Sequence, residues 1–253
     1  MRRLATIALL CTTLLNWPLQ AAADTKWDAA TGFDYSTGKY GAASNTTILS
    51  VPLAARVQMD AFRLELTVPY LDVKGPGTFA SGVVLGGNNA VTTRSGLGDV
   101  TAGGAWTISP DSTSMPGVEL AGTIKMPTAS TNLGTGKFDY SVQTNISHSF
   151  TPDTMLFGTV GYQWLSDFRG FRLKDGVMAQ AGVNYKSSAD TNIGVSVNYR
   201  QPYYQTLSDQ FSLSPYVLWT FAPHWRISAY GTVGFTNASP DAGGGMRLIF
   251  FQQ

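Results

Sequence analysis

The sequence predicts a single all-β domain, a transmembrane up-and-down antiparallel β-barrel of about 12 strands. Three observations predict it. Apolar and polar side chains alternate with period two in segment after segment, the period of a strand whose two faces meet different surroundings. Only 13% of the 253 residues are charged, while 43% are hydrophobic; an average globular domain carries ~25% charge. Short connections alternate with long ones, as in barrels that have tight turns at one end and loops at the other. A soluble sandwich or lipocalin-like barrel alternates too, but turns its polar face to water and wants roughly 25–35% charged surface. Polar inside and apolar outside fits this composition better.

The same arithmetic closes off other classes. A net charge of +1 gives no basic footprint for nucleic acid. Hydrophobicity is too high for a disordered chain. The single cysteine cannot pair within the chain. Past the N-terminus no run approaches the ~18 apolar residues of a membrane helix.

Taken in order, residues 1–23 read as a secretory signal peptide: a basic start at Arg2-Arg3, an apolar stretch from Leu4 to Leu15, and small residues at Ala21-Ala22-Ala23. Cys11 follows the bulky Leu10, which argues against a lipoprotein signal. Removing 23 of 253 residues leaves 230, with 15 basic residues against 16 acidic and no cysteine. Residues 24–253 form the barrel domain, expected as a single copy in outer-membrane lipid.

Strands are predicted at 27–40, 46–58 and 61–70, the second containing Pro52. A long loop, 71–94, follows, rich in glycine and poor in charge. The fourth strand, 95–108, opens on Ser95-Gly96-Leu97-Gly98-Asp99-Val100. In the fifth, 117–126, Val118, Leu120, Ile124 and Met126 alternate with Glu119, Ala121, Thr123 and Lys125. Strands at 138–150, 154–166, 175–187 and 190–201 follow. The last three, at 209–221, 225–236 and 243–251, include Pro215. Short connections fall at Asp60, Ser109–Pro116, Thr151–Asp153, Ser188-Ala189 and Ala222–His224. With the N-terminus in the periplasm, these turns lie inside and the long loops outside. Trp27, Trp106, Phe150, Phe221 and Trp225 gather at the turn ends. Tyr70, Phe138, Tyr140, Trp164, Tyr199, Phe211 and Phe235 gather toward the loop ends, as two interfacial girdles require.

Two stretches carry a resemblance. Ser95–Val100 contains Gly-x-Gly-Asp, and Lys125-Met126-Pro127-Thr128 precedes Leu133-Gly134-Thr135-Gly136-Lys137-Phe138-Asp139-Tyr140. In order and spacing they resemble segments of the bacterial outer-membrane "transporter" barrels named for the meta-pathway of phenol degradation. The resemblance covers about residues 95–145. It implies a Gram-negative outer-membrane barrel that takes up small molecules, with aromatic or other small hydrophobic compounds as candidate solutes. One departure is visible at the C-terminus. Barrel-assembly machinery reads a terminal aromatic residue, whereas here Gln252-Gln253 follows Phe250-Phe251.

By parity, Asp99 and Asp139 face the lumen near its outer rim. They either hold loop bases through hydrogen bonds or form a polar constriction. Glu65, Glu119 and Lys125 share the lumen face with Arg63. Arg200, Arg226 and Arg247, with Lys186, come from strands eight to twelve, where no inward acid is read. Opposed acidic and basic walls would impose a transverse field favouring polar or zwitterionic solutes; alternatively the charges pair across the lumen and plug it. Pro52 and Pro215 each remove a ladder donor. They predict a bulge or register adjustment, or else a weak seam through which an apolar solute leaves sideways.

No catalytic residue, metal or cofactor is predicted. His148 and His224 are far apart and no thiol accompanies them. Ser147-His148-Ser149 would serve a lipid-acting enzyme only with a third orienting group, and it lies at the turn end. Glu65 with Glu119 suggests a lumen salt bridge rather than an acid/base pair. The predicted function is passive small-molecule uptake; a closed structural or surface-binding barrel is the alternative and an outer-membrane lipid-acting enzyme a remote one.

Overall fold

The computed structural model describes residues 25–42, 44–76, 78–80, 83–85, 91–112, 114–168, 172–204 and 207–252; the predicted signal peptide lies outside them. The strands are β1 (Lys26–Gly38), β2 (Thr46–Met59), β3 (Phe62–Pro76), the short β4 (Thr78–Ala80) and β5 (Val83–Leu85), β6 (Val91–Leu97), β7 (Val100–Ser109), β8 (Gly117–Met126), β9 (Asp139–Ser149), β10 (Thr154–Trp164), β11 (Gly176–Lys186), β12 (Thr191–Arg200), β13 (Gln210–Ala222), β14 (Trp225–Gly234) and β15 (Ala242–Phe251). From β7 to β15 each strand pairs antiparallel with the next. β15 then pairs with β1, β1 with β2, and β2 with β3, while β3 takes β6 and β7 on its far edge. The ring is closed. β4 and β5 pair only with each other, and β6 and β7 are halves of one wall strand, so the wall has twelve. Closure matters because lipid offers no partner for an open backbone edge.

The wall sorts side chains by parity. Phe33, Leu53, Leu64, Trp106, Val160 and Trp219 point outward and are exposed, while inward Asp34, Ser50, Arg63, Ser196, Ser214 and Thr232 are buried. A water-facing band this apolar would be unstable; against acyl chains it is the favourable arrangement. Aromatic rings cluster at both rims. At the turn end Trp27 and Trp225 stand 5.4 and 5.1 Å from Phe250, and Phe62 stacks on Trp106 at 6.3 Å. At the loop end Tyr162 meets Trp164 at 5.1 Å and Phe211 meets Phe235 at 5.9 Å.

Two expectations change. The long loop 71–94 begins and ends as wall: β3 runs to Pro76 and pairs with β6 from Tyr70↔Leu97 to Pro76↔Val91. Gly75-Pro76-Gly77 looks like a turn in sequence, yet the ladder tolerates Pro76 at its outer end, where no further pairing is needed. Of the segment's tip, residues 81, 82 and 86–90 lie outside the described residues.

The prolines also behave differently. Neither shifts the register. β1 and β2 keep one register from Thr31↔Leu53 to Asp34↔Ser50, and β13 and β14 from Leu213↔Val233 to Tyr216↔Tyr230, with the pairs between missing. Odd residues of β13 aim their backbone groups at β14, as the Phe235 N–H to Phe211 carbonyl bond shows. The nitrogen of Pro215, which has no hydrogen, therefore faces Gly231. Pro52 faces Gly32 of β1 in the same way. Neighbouring rungs hold the register while these two ladders each lose a rung. Behind the second gap, the hydroxyls of Ser214 and Thr232 hydrogen-bond at 2.9 Å.

Candidate solute pathway

The β8–β9 loop, residues 127–138, folds back into the loop-end mouth. Leu133 at its tip is 1% exposed and packs with Tyr40, Ile48, Leu71 and Val73, with Ala129 against the cluster. Ile48 and Val73 are register partners on the lumen face. Along β2, Ile48 sits between inward Thr46 and Ser50, both buried, so this is an apolar patch set into a polar wall. Burying Leu133 contributes about 1.5–3 kcal/mol. Tyr40 caps the patch from the β1–β2 loop. Its hydroxyl donates to Ser36 Oγ at 2.8 Å, and burial pushes its phenol above the ordinary range.

Ionic groups hold that loop in place. Asp99 sits in the break between β6 and β7. Its Oδ1 accepts the Ala129 N–H at 3.1 Å and its Oδ2 accepts Lys125 Nζ at 2.9 Å. Lys125 Nζ also lies 3.0 Å from Asp139 Oδ2 and donates to Thr135 Oγ1 at 3.0 Å. Asp139 Oδ1 accepts the Ser166 N–H at 2.9 Å, tying in the next loop. Thr128 Oγ1 takes the Val100 N–H at 2.8 Å, and the Leu97 carbonyl takes the Ser130 N–H at 2.8 Å. The glycines are spatial requirements. Gly96 has φ +151°, and a Cβ there would lie 2.7 Å from Ser130 Oγ; one on Gly134 would lie 2.8 Å from an Asp99 oxygen. Gly96, Asp99, Lys125, Leu133, Gly134, Thr135 and Asp139, scattered through two sequence stretches, thus form one construction.

The turn end of the lumen is ionic instead. Asp28, Arg56 and Glu65 are successive cross-strand partners on β1, β2 and β3, and Arg56 lies 2.6 Å from Asp28 Oδ2. Arg63 donates to Glu119 Oε1 at 2.9 Å, and Asn145 donates to the same oxygen at 2.8 Å. Arg226 donates to Thr220 Oγ1 at 3.2 Å and lies 4.8 Å over the Phe251 ring. Asp111, from the β7–β8 turn, accepts the Ser149 N–H at 3.1 Å and hydroxyl at 2.5 Å, which folds that turn beneath a cavity lined by Arg63, Glu119, Asn145, Phe157 and Thr159. Long side chains here lie along the wall, resting on glycines: Glu65 over Gly103, Tyr216 over Gly194, and Tyr230 over Gly245.

Arg200, Arg226 and Arg247 do not form one basic wall. Arg247 ion-pairs with Asp34 of β1, which also accepts from Tyr230 at 2.7 Å. Arg200, at the loop end, donates to Gln163 and stacks 3.6 Å over Tyr203. Opposed acidic and basic walls are therefore not what the barrel builds. Closure sets β1 beside β15, and the inward acids Asp28 and Asp34 face the last strands. Inward parity on the first strand was the signal for them. The apolar patch was harder to see, because Leu71 and Val73 fell in the predicted loop. Ser147 and Ser149 face the lumen while His148 faces outward, 5.3 Å from the Phe150 ring, so these neighbours do not form a serine–histidine pair.

The family described as "MetA-pathway of phenol degradation" matches residues 54–250. The chain belongs to this family. No curated protein matches it. Among solved structures, an outer membrane channel from Pseudomonas putida F1 aligns with TM-score 0.72 and 12% identity, over 94% of this chain and 98% of that one. The KdgM porin aligns at 0.56 and 8% identity, over 88% and 99%. The CymD monoaromatic hydrocarbon channel aligns at 0.50 and 11% identity, over 90% and 88%. The likeness is one of fold: a closed membrane barrel.

Proposed function

We propose that the chain is an outer-membrane channel that passively admits small molecules, small hydrophobic or aromatic compounds among them, into a Gram-negative cell. One observation carries this reading above a closed barrel. The ion pairs Arg56–Asp28, Lys125–Asp99, Lys125–Asp139 and Arg247–Asp34 join wall neighbours, and Arg63–Glu119 skips a single strand. Among the described residues these five pairs run along the wall rather than across the axis. A barrel of this strand number is wider than the eight whose side chains alone fill the interior, so pairing along the wall leaves room on the axis. Residues 1–23 act as the export signal, and the turn end faces the periplasm.

The family and a structural neighbour named as a monoaromatic hydrocarbon channel support the solute class. A sideways exit is a second reading of the route. The two interrupted ladders, β1–β2 at Pro52 and β13–β14 at Pro215, flank the three-strand panel β14–β15–β1. The refolded chain from Asp24 onward, inserted in a planar bilayer, is expected to give discrete current steps. Silence after verified insertion would favour the closed barrel.

A further inference from the structure

We propose that the recess formed by Tyr40, Ile48, Leu71 and Val73 is a binding site for a small, uncharged, apolar solute, and that Leu133 is its resident occupant, displaced when solute arrives. The inference rests on the channel reading and names where such a solute is selected.

An apolar patch on a lumen wall needs a reason, because beside it the inward positions of β1 and β2 are the buried hydroxyls of Ser36, Thr46 and Ser50, although Pro69 prolongs it along β3. Leu133 supplies one only in part. It seals the patch, but a serine or threonine at 48, 71 and 73 would have made a seal unnecessary. The recess already accommodates a branched hydrocarbon group to 1% exposure. Three aliphatic side chains and one ring make its wall, and the ring's hydroxyl is committed to Ser36. A charged or strongly hydrated solute would lose its water there without replacement, so the wall selects against it. An apolar solute of comparable size gains what Leu133 gains.

The tip is built so that Leu133 can yield while its loop stays anchored. Ser130 is held by the Leu97 carbonyl on one side and Thr135 by Lys125 on the other. Between these anchors lie Asn132, at φ +66°, and Gly134; Gly136, at φ +69°, follows. Asparagine and glycine tolerate left-handed backbone where other residues resist it, so the side chain can swing out through a few soft dihedrals. The hydrogen bond from Leu133 N–H to the Ser130 carbonyl, 3.0 Å, is given up.

The test uses Leu133→Cys in the chain from Asp24 onward, which has no other cysteine, in proteoliposomes, with a maleimide as reporter and toluene as probe. The thiol is expected to label slowly, and toluene to accelerate labelling about five-fold. Glycerol is expected to do nothing, and Ser114→Cys at the turn end to label identically with and without toluene. Adding Val73→Asn should abolish the toluene response. Unchanged or slower labelling of the Leu133→Cys thiol in toluene, or equal acceleration at Ser114→Cys, overturns the proposal. The channel reading fails separately. A toluene response with silent bilayers would leave the site and remove the channel, and conducting bilayers without a response would do the reverse.

Discussion

At the loop end, the inward positions of β2 and β3 include Ile48, Leu71 and Val73 beside Thr46 and Ser50; toward the turn end, the same two strands present Arg56, Arg63 and Glu65. Both sets obey one parity and face one lumen. Period-two alternation fixes which side chains point inward but leaves the chemistry of the inside free to change along the axis. The loop end sets an apolar seat, closed by Leu133, beside the Lys125–Asp99–Asp139 cluster that anchors its loop, whereas the turn end is a belt of alternating charge. A solute entering from the loops would meet a filter for apolarity first and a surface of low net charge second. Such a surface does not trap either sign of ion.

The two ends should respond differently to losing one cation, and the loop end holds the larger effect. Lys125→Met removes the ammonium that faces both Asp99 and Asp139, whose side chains are 5% and 1% exposed. Breaking a buried pair from one side costs about 3–5 kcal/mol. Urea unfolding in detergent micelles should show a loss of that order, with the mouth loop becoming accessible to protease. A loss under about 1 kcal/mol, typical of exposed pairs, would break the comparison by showing that the tether is incidental.

How far these ends could be read from sequence depends on what kind of order made them. The strands were legible because alternation is local, and strands such as 117–126 came out with the observed limits. The rims were legible because Trp27, Trp225 and Phe211 sit at strand ends in one dimension as in three. Arg247–Asp34 was not, since it exists only after the first strand meets the last. Leu133 stood in a recognisable motif, but nothing periodic says that a loop turns inward. The run Leu71–Pro76 was lost to its own Gly-Pro-Gly, a turn signal in most settings and here the outer end of a ribbon.

A smaller effect tests the wall between the two ends. Pro215 faces lipid and withholds a donor from Gly231, whereas the rungs on its β12 side are complete. Pro215→Val restores an N–H in an unshifted register. One recovered hydrogen bond should add about 0.5–1.5 kcal/mol, read as a higher urea midpoint. If the ladder gap is a sideways exit, the same variant should slow uptake of toluene into proteoliposomes while leaving ion conductance unchanged. Added stability with unaltered toluene uptake would remove the seam from the pathway and leave the axial lumen as the route.

The smallest effect belongs to the turn-end surface, where comparison with the lumen turns on parity alone. His148 lies one residue from both Ser147 and Ser149, yet it faces outward against Phe150 while they face inward. Removing it touches neither the ionic belt nor the apolar seat. His148→Ala should shift stability by no more than about 0.5 kcal/mol, as surface substitutions do, and should leave bilayer conductance and fatty-acid release from phospholipid vesicles where they were. Loss of a lipid-hydrolysing activity in that variant would mean the outer face does chemistry. For a histidine separated from its serine neighbours by the thickness of the wall, that chemistry would need a nucleophile from somewhere other than Ser147 or Ser149.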